Sequence, residues 1–183
     1  MRKQVHEENI SAHLGRCTYG GGLHIGKTLV LLGFVNRSGS NHLGDLISRQ
    51  DGFSGFKEQL NHPQVLATCR RYGIETFPDY IYHIATRRSG QSFGVKASAD
   101  QVRMLHRWRL FEMFSETKMI HVIRNDIIAQ AVSLHVAQQT GQWSSRQSDG
   151  YDPVAPYDFD RIRRRVDAIN RRNGDLRLVG SAP

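Results

Sequence analysis

Residues 28–47 read TLVLLGFVNRSGSNHLGDLI. Leu29, Val30, Leu31, Leu32, Phe34 and Val35 form an apolar run that fits a strand buried on both faces. The run stops at Asn36-Arg37-Ser38-Gly39-Ser40-Asn41, and Leu43, Leu46 and Ile47 then recur at helical spacing. A buried strand, a short Ser/Gly loop and a helix make an anion cradle. The loop exposes successive backbone N–H groups, and the helix start adds the positive end of its dipole. Ser38 and Ser40 add hydroxyl donors, and Arg37 adds a planar cationic fork. The unit suits a phosphate or a sulfate.

A chain of 183 residues suits one α/β domain with a real core. Its formal charge of +8, from 25 basic and 17 acidic residues, favours a polyanionic partner: a nucleotide, a nucleic acid or an acidic membrane surface. Cys17 and Cys69 are far apart and in no metal-ligand spacing, so a reduced, cytoplasmic protein is the simplest reading. Met1-Arg2-Lys3 is followed by no apolar run, which argues against a signal peptide. No segment approaches the ~20 apolar residues of a membrane helix, and a soluble chain is expected.

Working outward, residues 1–27 are polar, rich in His and Gly, and aperiodic. They read as a flexible N-terminal arm outside the core, with one domain over 28–183. Residues 51–62 read as a loop. Val65, Leu66, Cys69 and Tyr72 predict a helix over 63–72 with Gly73 as its stop, and Tyr80, Ile81 and Ile84 predict another over 78–88. Residues 93–96 read as a short strand, 100–115 as a helix, 118–123 as a strand and 126–141 as a helix. A polar loop over 144–157, a very basic helix over 158–172 and a last strand over 176–179 complete the pass. This alternation predicts a three-layer α/β/α fold with a mostly parallel sheet.

Residues 21–28, GGLHIGKT, match the P-loop pattern GxxxxGK[ST]. That motif works between a strand and the helix that follows it. Here the apolar strand itself follows, so the segment reads as a Gly-rich lead-in. The alternative, a P-loop nucleotide kinase or NTPase, would rest on Lys27.

Residues 118–142 read KMIHVIRNDIIAQAVSLHVAQQTGQ. Arg124 falls at the carboxyl tip of the strand, the edge where α/β folds bind ligands, and Asn125 or Asp126 can cap the next helix. A helical wheel puts Asp126, Gln130, Ser133 and Ala137 on one narrow polar strip. Ile127, Ile128, Ala131, Val132, Leu134 and Val136 fill the opposite arc, which reads as core. Either Arg124 and Ser133 grip one anion, or Arg124 pairs with Asp126 or Asp100 and Ser133 is merely exposed.

Three blocks, RSGSNHLGDLI at 37–47, FGVKASADQ at 93–101 and HVIRNDIIAQAVSLHVAQQTGQW at 121–143, resemble the bacterial sulfotransferases of the trehalose 2-sulfotransferase type. Those enzymes use 3′-phosphoadenosine-5′-phosphosulfate (PAPS) as sulfuryl donor. The resemblance implies a P-loop NTPase-like sulfotransferase fold and transfer to a hydroxyl of a carbohydrate or glycolipid, a trehalose-like sugar first among them. The product nucleotide would be 3′-phosphoadenosine-5′-phosphate (PAP). It also implies no metal, a homodimer, and no specific nucleic acid.

In that likeness Arg37, Ser38, Gly39, Ser40 and Asn41 hold the 5′-phosphosulfate, and Arg124 and Ser133 hold the 3′-phosphate. Glu58, within SGFKEQLN at 54–61, is the general base; read alone it is one solvated charge beside Lys57. Lys96, at the end of its strand, faces the transferring group. Asn41 departs from a hydroxyl residue of the family and Ala99 from a tryptophan. Gln59 and Leu60 follow Glu58 where aromatic residues are usual. The stop at Pro183, soon after LRLVG, implies a shortened C-terminus. The non-enzymatic alternative is a basic nucleic-acid-binding protein, resting on Arg161, Arg163, Arg164, Arg165, Arg171 and Arg172, with no recognised motif beside them.

Overall fold

The apolar run at 28–35 falls in strand β1 (Ile25–Phe34) except for Val35, which follows it, and residues 29–32 are buried. The structure, a computed structural model, describes residues 4–143 and 156–180; most of the polar loop expected at 144–157 lies outside them. β1 is central, beside β3 (Ser92–Ala97), with β2 (Phe53–Lys57) and β4 (Phe114–Val122) at the two edges, and every pairing is parallel. Among the described residues seven α-helices accompany the sheet: α1 (Val5–His13), α2 (Ser40–Ile47), α3 (His62–Tyr72), α4 (Phe77–Thr86), α5 (Ala99–Arg107), α6 (Ile127–Thr140) and α7 (Phe159–Gly180). This is the expected three-layer α/β architecture. Because all strands run one way, the segments leaving β1, β2, β3 and β4 emerge at one edge. Those segments carry residues 36–41, Glu58 and Arg124, and Lys96 lies at the same edge, near the end of β3.

Local chemistry sets the helix ends. Gly73 closes α3 in the left-handed region at φ 63°, as its sequence predicts. Thr76 caps α4 by accepting from Asp79 N–H. Ser98 and Gln101 form a reciprocal capping box at the start of α5. The main core gathers Phe77, Tyr80, Phe93 and Trp108 beneath the sheet, and burying each such side chain contributes about 1.5–3 kcal/mol.

Four expectations are corrected. Residues 1–27 are not all outside the core: Val5–His13 is helical, and Ile10, Leu14, Tyr19 and Ile25 are buried in the main cluster. α1 carries almost no amphipathic signal because its other inward residue is a charged one, Glu7, which pairs with Arg107. Within 51–62, Phe53–Lys57 is a strand, disguised by its glycines and by a register shift between Gly55 and Lys57. Residues 108–115 leave the helix at Arg109, which has φ 58°, and enter β4 through a 3₁₀ turn. The strand expected at 176–179 is the last turn of α7. Ile169, Asn173 and Leu176 recur at helical spacing and are buried, while Arg163, Arg164, Arg171 and Arg172 are exposed.

Among the described residues no helix is long and apolar enough to cross a membrane.

Two glycines let β2 approach. A Cβ on Gly94 would lie 2.4 Å from Phe56 Cε2, and one on Gly44 of α2 would lie 3.1 Å from Phe56 O. Gly94→Ala is therefore expected to cost about 1–3 kcal/mol through overpacking. Gly26→Ala, whose Cβ would meet nothing within 4 Å, should change stability by less than about 0.5 kcal/mol. Urea denaturation of both variants checks this, and equal midpoints would contradict the packing argument.

Candidate functional site

The loop after β1 owes its shape to two left-handed residues, Arg37 at φ 67° and Gly39 at φ 90°. Ser38 N–H closes the turn onto Val35 O at 3.2 Å. α2 starts at Ser40 with no side-chain cap, and Leu43 N–H bonds back to Gly39 O at 3.1 Å. The amides of Ser40, Asn41 and His42, ahead of it, are the orphan donors of the helix start. Ser38 Oγ is buried and makes no hydrogen bond among the described residues. The cradle thus presents backbone donors to one place, as an oxyanion requires, and the unpaired Ser38 hydroxyl lies buried within the same loop.

α6 secures the loop from behind, with a face the helical wheel misassigns. Gln130 is 0% exposed, and its Nε2 donates to Asn36 O at 2.8 Å. Ile128, expected in the core, is 68% exposed, and Val132 also faces solvent. The helix is turned so that a buried amide can satisfy a loop carbonyl, while Ile127 and Ala131 pack with Ile162, Val166 and Ile169 of α7. Asp126 supplies the cap, accepting from Ala129 N–H at 2.8 Å.

Ser133 on this helix meets Arg37 directly: Nε donates to its Oγ at 2.8 Å, and Nη1 donates to Trp143 O at 2.7 Å. Arg124 Nη1 lies 3.5 Å from Arg37 O. Arg124 forms no ion pair with Asp126, which caps α6, or with Asp100, which pairs with Arg103 at 3.0 Å. The loop of β1 and the tip of β4 therefore share one cleft. Sequence reasoning grouped the Arg37 guanidinium with the loop; in the structure it reaches across to Ser133.

Lys96 and Glu58 meet on the other side of the loop. The β2–β3 register sets Lys57 opposite Val95, so the next residue of each strand comes together. Lys96 Nζ donates to Glu58 Oε1 at 2.9 Å and to Asn41 Oδ1, and lies 4.3 Å from the Phe34 ring centre. The Lys96 side chain is 2% exposed and that of Glu58 44%. A buried ammonium is tolerated only when its hydrogen bonds are met, and Asn41, the departure from a hydroxyl residue, meets one of them.

Two residues that sequence reasoning passed over complete this network. Asn61 Nδ2 donates to Glu58 Oε2 at 3.0 Å, and Gln101 Nε2 donates to Asn61 Oδ1 at 3.0 Å. The signal for Gln101 was available, since S-x-x-Q at 98–101 is a capping box; Asn61 left none. α1 backs the same region through His6, whose Nδ1 is 3.0 Å from His62 Nδ1. Burial and His62 hold His6 below the ordinary histidine value, with the Glu58 charge opposing.

Phe34, Arg37, Gly39, Lys96, Arg124 and Ser133 line a cleft of about 730 Å³, with Ser40, Asn41 and Glu58 also in its wall. Lys27 is not among its residues. It lies within β1, and its Nζ donates to Ala85 O at 3.0 Å and to Arg88 O, at the end of α4. A lysine in a strand that satisfies helix carbonyls does not fill the P-loop role. Among the described residues no group of three or more His, Cys, Asp or Glu is placed to hold a metal ion.

No curated protein matches the chain. The family model described as Stf0 sulphotransferase matches residues 80–177. That window holds Lys96, Gln101, Arg124 and Ser133, whereas residues 37–41 and Glu58 precede it and are joined to it by the parallel sheet. The match covers more than half of the 183 residues, and the chain belongs to the Stf0 sulphotransferase family.

Proposed function

We propose that this sulfotransferase moves a sulfuryl group from PAPS to a hydroxyl of a carbohydrate or glycolipid, with a trehalose-like sugar as the leading acceptor. The observation that carries this reading is one cleft with two anion-binding ends. At one end lie the amides of residues 39–41 and Lys96, with the unpaired Ser38 hydroxyl buried in the same loop. At the other lie Ser133, Arg124 and Arg37. A nucleotide with separate 3′- and 5′-phosphates matches that pair. The reach of Arg37 to Ser133 favours placing its guanidinium with the 3′-phosphate and leaving the 5′ end to residues 38–41.

Sulfuryl transfer, like phosphoryl transfer, is an in-line displacement with charge spread over the equatorial oxygens. The bond from sulfur to the donor's bridging oxygen breaks as the bond to the acceptor oxygen forms. Glu58 takes the hydroxyl proton. The charge left on the 5′-phosphate of PAP falls to Lys96 and the loop amides, donors held in place before the reaction. Asn41 and Glu58 already fix the ammonium, and Asn61 fixes the second carboxylate oxygen.

Three variants test this. Calorimetry should show PAP binding to the wild type, weakened about 10–100-fold in Arg124→Ala for loss of a charge-assisted contact of ~1.5–3 kcal/mol. Lys27→Ala should bind PAP as the wild type does, and the reverse pattern would favour a P-loop enzyme. Glu58→Gln should lower kcat by about 10²–10⁴ while PAP binding survives. Full turnover in Glu58→Gln would remove Glu58 from the role of base.

A further inference from the structure

Glu58 and Lys57 also line a second cleft, of about 840 Å³, within the range of ligand pockets. On the sulfuryl-transfer reading, on which this inference rests, it is where the acceptor hydroxyl approaches Glu58. Asn61, Gln64 and Thr68 supply groups that hydrogen-bond sugar hydroxyls. The charge of the wall is lopsided. Glu58 is its one carboxylate, against Lys57, Arg87 and Arg88.

Lys57 is matched by Asp45 at 2.8 Å. Arg87 is held without a counterion. Its Nη1 lies 3.2 Å from His83 Nε2, and its guanidinium lies 4.7 Å from the centre of the Tyr72 ring. Burial and Arg87 together keep His83 below the ordinary histidine value, so the ring nitrogen accepts as a neutral imidazole. No ion pair among the described residues involves Arg87 or Arg88. The Arg88 carbonyl is tied down by Lys27, which steadies the turn that carries both arginines. A planar cation already oriented by uncharged rings is a receptor for an oxyanion, and less ordering remains to be done on binding.

We propose that the second cleft takes an acceptor sugar of one or two rings that itself carries an anionic group, phosphate, sulfate or carboxylate. The anion lies on Arg87 and Arg88, and the accepting hydroxyl reaches Glu58.

The test uses the full chain with PAP present and two matched probe pairs: trehalose with trehalose 6-phosphate, and glucose with glucose 6-phosphate. Calorimetry on the wild type should show a phosphorylated sugar binding at least about tenfold tighter than its neutral partner. Arg87→Ala should abolish that preference without weakening the neutral sugar, Arg88→Ala should reduce it, and Arg87→Lys should restore part of it. PAP affinity should stay within about twofold throughout, since neither arginine lines the donor cleft. Equal binding of charged and neutral sugars by the wild type would overturn the proposal, as would a preference that survives both alanine variants. If the wild type failed to bind PAP yet bound sugar phosphates in an Arg87-dependent way, the donor assignment would fall and the charged cleft would stand.

Discussion

The Lys96 ammonium, almost wholly buried at the carboxyl end of a central strand, is the constraint on which the site depends. Removing such a charge from water costs several kcal/mol unless its hydrogen bonds are replaced. The replacements come from two other segments: Asn41 at the start of α2 and Glu58 just beyond β2. One charge therefore ties three neighbouring strand ends together. The same arrangement leaves the Glu58 carboxylate half open, at the wall shared by both clefts. A fully buried carboxylate could not reach a molecule in either cleft, and a fully exposed one would not be held in position.

Packing beneath this charge makes it possible. Phe56 fills the space that side chains on Gly94 and Gly44 would occupy, which draws β2 against β3 and α2. That approach, with the register of the two strands, delivers Glu58 to Lys96. A second layer, Gln101 to Asn61 to Glu58, fixes the carboxylate from the helix that follows β3. On the opposite side Gln130 holds the loop carbonyl of Asn36 from α6. Buried amides thus brace both ends of the first cleft, and its geometry is kept by elements that also stabilise the fold.

Much of the fold was legible because its strongest signals are local. The apolar run of β1, the turn residues after it and the helical spacing of α3, α4 and α6 all follow from side-chain period and caps. What could not be read depended on partners distant in sequence. Ile10 of α1 has no periodic companions, and β2 carries glycines that normally mark turns. α6 exposes Ile128 so that Gln130 can face inward. Of the site residues, the loop and Arg124 showed themselves by their place after strands. Glu58 is an ordinary charge until β2–β3 pairing sets it beside Lys96, and Arg37 gave no hint of reaching Ser133. The P-loop-like segment misleads for the opposite reason: its residues match a pattern, but the strand that contains Lys27 denies it the helix it needs.

The most direct measurement is a crystal structure of the full chain with PAP. The 5′-phosphate is expected within about 3.2 Å of the amides of residues 39–41, near Lys96, and the 3′-phosphate against Ser133, Arg124 and Arg37. A nucleotide lodged at residues 21–28, or bound with its two phosphates away from those two ends, would contradict this placement.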